Sequence, residues 1–317
     1  MTSRWSSKGG KFYPARRGTP PGMDLFERKR AAAGASALPL ALDRVGIVLN
    51  GLDAELSGAL RARYGPYVDD RLDAGRAMLS VDVARDPTPY FIEPPAEGTS
   101  EFNPVWLACE NTRVRYCGYA LAGWFDTAQH RGAIVLGTGP YEPEPRAVEN
   151  YVRCAVAWCA AESGGALVHG ASAVRGGKGY LFFGESGAGK STLSEVNRRA
   201  RVVSDDLSLL LPREDGGLDL VGSPFRGTYE GGEPVVGRFP LAAGFRIVKA
   251  EAAAVRTAPR PIVFGQLVGN LTFVAEAFPE RADLFERVER AFAKIPLHRL
   301  EFRKDDSYWD AIDAAGL

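Results

Sequence analysis

The chain has 317 residues, 45% hydrophobic and 25% charged, the composition of a globular protein with room for one large domain or two ordinary ones. Its 39 basic and 39 acidic residues cancel, so no global basic field marks it for nucleic acid. No apolar run approaches the ~20 residues of a membrane span.

Residues 1–37 carry Arg4, Lys8, Lys11, Arg16, Arg17, Arg28, Lys29 and Arg30 against only Asp24 and Glu27. The stretch is rich in Gly, Pro, Ser and Ala and lacks an apolar period, so a disordered basic tail is expected. No apolar core of signal-peptide length follows the charges. Cys109, Cys117, Cys154 and Cys159 form no CxxC pair and have no histidine at zinc-type spacing. Together these point to a reducing cytoplasm.

Residues 38–145 read as a smaller α+β domain. Val45–Leu49 and Met78–Val83 have strand character, and Leu56, Leu60 and Tyr64 recur at helical spacing within Asp53–Tyr64. Asp86–Ser100 holds four prolines and is expected as loop or edge. Arg113–Leu121 and Gly132–Leu136 follow as strands. Gly137–Pro145, with Pro140, Pro143 and Pro145, reads as a linker.

Residues 146–317 read as an α/β domain. In Arg146–Ser163, Val148, Tyr151, Val152, Ala155 and Cys159 share one helical face, and Gly164-Gly165 ends the helix. Cys154 and Cys159 read as buried small hydrophobes. Ala166–His169 and Tyr180–Phe183 are short apolar strands, with a hairpin-type turn at Arg175–Gly179 between them. Farther on, Ser223–Val236 is rich in Gly and Pro: a mobile loop with Arg226 facing phosphate or substrate, or an ordinary surface loop. Asp283–Ala293 aligns Leu284, Val288 and Phe292 as a core-packing helix.

The chemistry concentrates after Phe183. Gly184-Glu185-Ser186-Gly187-Ala188-Gly189-Lys190-Ser191, followed by Thr192, fits GxxxxGK[ST], with a strand before it and a helix after it. The glycines free the backbone to turn successive N–H groups inward as an anion cradle, and the helix start adds its positive end. Lys190 supplies a point charge to the β- and γ-phosphates of ATP, and the Ser191 hydroxyl can ligate Mg²⁺. Fifteen positions on, Asp205 and Asp206 follow the apolar pair Val202-Val203. That spacing leaves room for a short helix, a turn and a strand whose end carries both carboxylates toward the phosphates. One can hold Mg²⁺ and the other accept a proton from an attacking hydroxyl. His169, ending the strand beside the loop, is either structural or part of the phosphate site.

These residues resemble the bacterial HPr serine kinase/phosphorylase family and its relatives. The resemblance rests on Val168-His169-Gly170, on the loop Gly184–Ser191 and on Val202-Val203-Ser204-Asp205-Asp206-Leu207. It covers about residues 146–210, with Pro240–Lys249 also similar to related kinases. It implies a catalytic fold related to phosphoenolpyruvate carboxykinase, with Asp205 as proton acceptor, Lys190 and Ser191 serving phosphate and Mg²⁺, and His169 in the active site. The remaining carboxylate, Asp206, is then the metal ligand. The family's Glu-x-Arg-Gly element is met only by Pro224-Phe225-Arg226-Gly227, without its acidic residue, and no phosphorolysis signature follows. The expected activity is transfer of the γ-phosphate of ATP to a serine of a protein or peptide, with homo-oligomer formation left open. Three other classes compete, one of them a carboxykinase-like decarboxylating enzyme, which would need a richer set of Arg, Lys and His contacts than a chain with three histidines offers. A transport-type ATPase would need an LSGGQ-like signature or a distant Asp-Glu pair, which the sequence lacks. A regulator or pseudokinase would bind ATP without transfer.

Overall fold

The computed structural model describes residues 5–8, 11–12, 31–95, 103–229 and 231–317. It is a mixed α/β structure that divides into two compact units, Met1–Cys159 and Ala160–Leu317.

Among the described residues the first unit has nine strands, β1 (Trp5–Lys8), β2 (Lys11–Phe12), β3 (Ser36–Leu42), β4 (Val45–Leu52), β5 (Leu79–Arg85), β6 (Asn103–Glu110), β7 (Arg113–Cys117), β8 (Leu121–Asp126) and β9 (Arg131–Leu136). Their order in the sheet is β2-β1-β6-β7-β8-β9-β5-β4-β3. Helix α1 (Ala54–Tyr64) links the parallel neighbours β4 and β5, and starts where the Asp53 carboxylate accepts the Leu56 N–H at 2.9 Å. Two strands belong to the segment expected as a disordered tail, so that expectation is corrected for Trp5–Lys8 and Lys11–Phe12; the rest of residues 1–30 lies outside the described residues. The single strand expected over Arg113–Leu121 is two, because the chain reverses where the Gly118 N–H donates to the Leu121 carbonyl at 2.8 Å.

Helix α2 (Glu144–Glu162) contains the division between the units, past the proline-rich stretch read as a linker. Through residue 159 it belongs to the first unit. Tyr151 packs edge-on against Tyr116 and Phe125 and donates its hydroxyl to the Trp124 carbonyl at 2.9 Å. The helix ends as its glycines dictate: Gly164 has φ 77°, and the Gly165 N–H reaches back to the Ala160 carbonyl at 2.7 Å.

The second unit has strands β10 (Ala166–Arg175), β11 (Lys178–Phe183), β12 (Arg201–Ser204), β13 (Leu207–Pro212), β14 (Leu218–Val221), β15 (Arg238–Lys249), β16 (Ala254–Arg256) and β17 (Leu297–Phe302). Its helices are α3 (Lys190–Val196), α4 (Arg260–Val268), α5 (Ala282–Phe292) and α6 (Tyr308–Ala314). The long β15 pairs antiparallel with β14 over its first residues, then parallel with both β11 and β17. The two-residue period of β11 sorts its side chains between two cores. Leu181 and Phe183 join Val263, Leu267, Val288 and Phe292 of α4 and α5. Tyr180 and Phe182 join Leu193 of α3 and Tyr308, Trp309 and Ile312 of α6. Phe182 stacks on Phe245 at 5.5 Å and meets the Trp309 ring edge-on. Each such buried side chain contributes about 1.5–3 kcal/mol, so the strand that delivers the glycine loop is anchored on both faces. Among the described residues no helix is long and apolar enough to cross a membrane.

Candidate functional site

The β10–β11 hairpin sets the site's geometry. Its turn residues Gly176 and Gly177 have φ of 57° and 75°, the conformation a two-residue hairpin needs. The resulting register pairs Gly170 with Phe183. His169 therefore lies beside the point where β11 releases the chain into Gly184. Gly170 has no room for a Cβ, which would meet the Phe182 carbonyl oxygen at 2.8 Å.

From Gly184 the chain loops to α3. Gly187 and Gly189 have φ of 78° and 112°, left-handed values closed to most side chains, and Gly189 is the residue that opens α3. Lys190 is buried and donates from Nζ to the carbonyls of Gly184 at 2.8 Å and Glu185 at 3.3 Å. Among the described residues no carboxylate lies within ion-pair distance of its ammonium. Burial lowers its pKa to about 8, and the Asp206 charge opposes that shift. The ammonium thus donates to carbonyl oxygens and feels the Asp206 charge nearby, in a loop that is open at Gly187. Ser191 is exposed, and the Gly187 face is open.

Asp205 and Asp206 follow a short helix, a turn and a strand, in the order expected. The strand does not simply end, however. Both β12 and β13 pair antiparallel with β10 and run the same way, and the two aspartates fill the break between them. Ser204 shapes that break. Its hydroxyl accepts the N–H groups of Asp206 and Leu207 at 3.0 Å each and donates to the Phe225 carbonyl at 2.6 Å. The two carboxylates consequently point to different partners.

Asp206 turns toward His169. Its backbone carbonyl accepts the Gly170 N–H at 2.8 Å, and its Oδ1 lies 3.1 Å from His169 Nδ1. Asp205 turns the other way. Its buried carboxylate accepts the backbone N–H groups of Gly227 at 2.7 Å, Thr228 at 3.0 Å and Tyr229 at 3.2 Å. Asp205, expected as the proton acceptor, is held in place by these three amides.

Arg226 is likewise engaged with the backbone. Its guanidinium donates to the carbonyls of Val202 and Val203 at 3.4 Å each, of Gly231 and Gly232 at 3.1 Å each, and of Glu233 at 3.0 Å. It ties the Ser223–Val236 loop to β12 rather than facing a phosphate. Because Asp205 holds the same loop through amides and Arg226 through carbonyls, the Ser223–Val236 segment is tied from both sides.

One neighbour of the site was missed in the sequence. The turn after α4 brings the Asn270 carbonyl to 2.7 Å from the His169 N–H, and Val168 bridges to Leu271. Phe273 in this turn has φ 66°, rare for a bulky side chain. Only Gly269-Asn270 hinted at a turn there, and nothing in the spacing tied it to His169.

The structure thus brings together Lys190, Asp206 and His169 around the glycine loop, and sets Asp205 and Arg226 to hold the neighbouring loop. Among the described residues no group of three or more His, Cys, Asp or Glu side chains could hold a metal. Mg²⁺ asks for less, since it takes one or two carboxylates and completes its shell with water and phosphate oxygens. The exposed Ser191 hydroxyl and the Asp206 carboxylate fit that demand. No protein-family model matches the sequence, and no curated protein matches it.

Proposed function

We propose that this chain is an ATP-dependent kinase that transfers the γ-phosphate to a hydroxyl, a serine of a protein or peptide, and that it is related to the HPr serine kinase/phosphorylase family. The reading includes that family's phosphoenolpyruvate-carboxykinase-type catalytic fold. The observation that carries it is Lys190. Its buried ammonium donates to the carbonyls of its own glycine loop, between a buried strand and a helix, and among the described residues no carboxylate lies at ion-pair distance. A desolvated cation without an anion is costly, and the polyphosphate of ATP is the partner that this loop type is built to hold.

In this reading the N–H groups of Gly184–Thr192 and the Lys190 ammonium bind the phosphates. Ser191 and Asp206 would hold Mg²⁺, which when bound neutralises charge developing on the phosphoryl oxygens. The His169–Asp206 pair takes the proton from the attacking hydroxyl. Its two groups lie 3.1 Å apart. The expected proton acceptor therefore shifts from Asp205 to this pair.

The test is incubation with γ-labelled ATP, Mg²⁺ and a panel of peptides and lysate proteins, followed by mapping of the labelled residue. Label on a serine in the wild-type reaction, absent with Lys190→Ala, supports the reading. Equal ATP binding and turnover in wild type and Lys190→Ala would sink it. Tight binding without label on any acceptor would leave a nucleotide-binding regulator instead.

A further inference from the structure

We propose that Asp205 is a positioning residue that acts through the Gly227–Tyr229 turn to hold Asp206 toward His169. The inference deepens the kinase reading and rests on it for the reaction concerned, but its structural half stands alone.

The chain of contacts is short. Three successive backbone N–H groups, of Gly227, Thr228 and Tyr229, converge on the Asp205 carboxylate at 2.7–3.2 Å. Successive amides gathered on one anion form a nest, and a charged acceptor makes each bond stronger than a neutral one would. The turn so held lies directly against the second aspartate. A Cβ on Gly227 would meet Asp205 Oδ2 at 2.9 Å and Asp206 Cβ at 3.1 Å. Gly227 therefore packs on the base of the Asp206 side chain and limits where its carboxylate can turn. The carboxylate it leaves faces His169 Nδ1 at 3.1 Å.

Two further devices fix the same arrangement. Ser204 holds the backbone on either side of Asp206 and ties it to Phe225. Arg226 links the rest of the loop to β12, donating to the Val202 and Val203 carbonyls of the strand and to the Gly231, Gly232 and Glu233 carbonyls of the loop. The charges around the pair are accordingly Lys190 on the phosphate side, His169 beside Asp206 and Arg226 behind the loop. Consecutive acidic residues thus divide the work: Asp205 neutralises the turn, and the turn orients Asp206. Asp205→Asn replaces one acceptor oxygen by a donor and cannot satisfy three amides.

The experiment compares the wild-type full chain with Asp205→Asn, Gly227→Ala, their double variant and Asp206→Asn. Hydrogen exchange without nucleotide reads the clamp. Protection of the Gly227–Tyr229 amides should fall roughly tenfold or more in Asp205→Asn and stay unchanged in Asp206→Asn. Because the chain has three histidines, the ¹⁵N imidazole signals can be followed singly. The His169 signal in Asp205→Asn should move toward that of Asp206→Asn. Turnover of ATP·Mg²⁺, with water or the mapped peptide as acceptor, should fall about 10–100-fold in Asp205→Asn at unchanged KM for ATP, the scale of a misplaced catalytic group. The double variant should be no worse than the poorer single one, because both substitutions break the same link. The proposal is overturned if Asp205→Asn loses turnover while the three amides stay protected and the His169 signal is unmoved, or if the losses of the two single variants multiply. A wild-type chain without ATP turnover would end the kinase reading, and exchange and the imidazole signal would still decide the clamp.

Discussion

Replacing Lys190 by Met tests the central cation most directly. Met keeps most of the length and apolar volume of the side chain but removes the charge. In the folded chain burial lowers the Lys190 pKa from 10.5 to about 8. A depressed lysine pKa means that the charged form is disfavoured in the folded state, so the cost is fully present below pH 8. It fades as pH rises from about 8 to 10.5, where the folded chain has lost the proton and the unfolded chain still holds it. The difference between these pKa values corresponds to about 3 kcal/mol. Against it stand the two bonds from Nζ to Gly184 and Glu185, worth about 1 kcal/mol each. Near pH 7 the nucleotide-free Lys190→Met chain should therefore be more stable by about 1 kcal/mol, a rise of ~2–4 °C in melting temperature. Above pH 10.5 the sign should reverse. Thermal melts from pH 6 to 11, with and without ATP·Mg²⁺, measure both effects. At 100 times Kd the wild-type chain should gain about 2.7 kcal/mol from the ligand, and the variant should gain almost nothing. A variant that melts well below wild type at pH 7, or gains as much from ATP, would refute the view of Lys190 as a desolvated cation awaiting an anion.

Other substitutions test the frame around it. Gly189→Ala puts a Cβ 3.2 Å from the Phe302 ring at a φ of 112°; it should weaken ATP binding measurably by calorimetry and cost about 1–3 kcal/mol of stability in urea melts. Asp206→Asn should reduce turnover about 10²–10⁴-fold with far less effect on ATP affinity than Lys190→Met, as read by steady-state kinetics and titration. Tyr151→Ala removes a fully buried ring and its bond to the Trp124 carbonyl; hydrogen exchange should show β8 and β9 loosened, with a loss of about 3–5 kcal/mol.

What could be read from the sequence follows how local each determinant is. The strand and helix on either side of Gly184–Gly189 are legible because one short stretch of sequence sets them, and the turn glycines before it fix the hairpin register. The burial of Leu284, Val288 and Phe292 was legible from helical spacing. Strand β3 was not recognised, because Pro39 in its middle argues against a strand; at the sheet edge a missing donor is tolerated. The apolar face of α2 announced burial but not against which sheet, and its ring contacts assign Tyr151 and Trp158 to the first unit.

The aspartate pair marks the limit most clearly. Spacing from Lys190 placed Asp205 and Asp206 at the site, but spacing carries no information about side-chain direction at a broken strand. That direction is set by Ser204, whose hydroxyl stands in for a ladder partner, and by a turn more than twenty positions later in the chain. Gly227 was visible in the sequence only as one glycine in a glycine-rich loop. Its role appears when a Cβ there is seen to strike both aspartates. The contacts of Arg226 are hidden in the sequence for a related reason. A lone arginine near a phosphate loop suggests an anion, yet its planar fork of five N–H donors suits a cluster of backbone carbonyls equally well, and only the folded chain supplies that cluster.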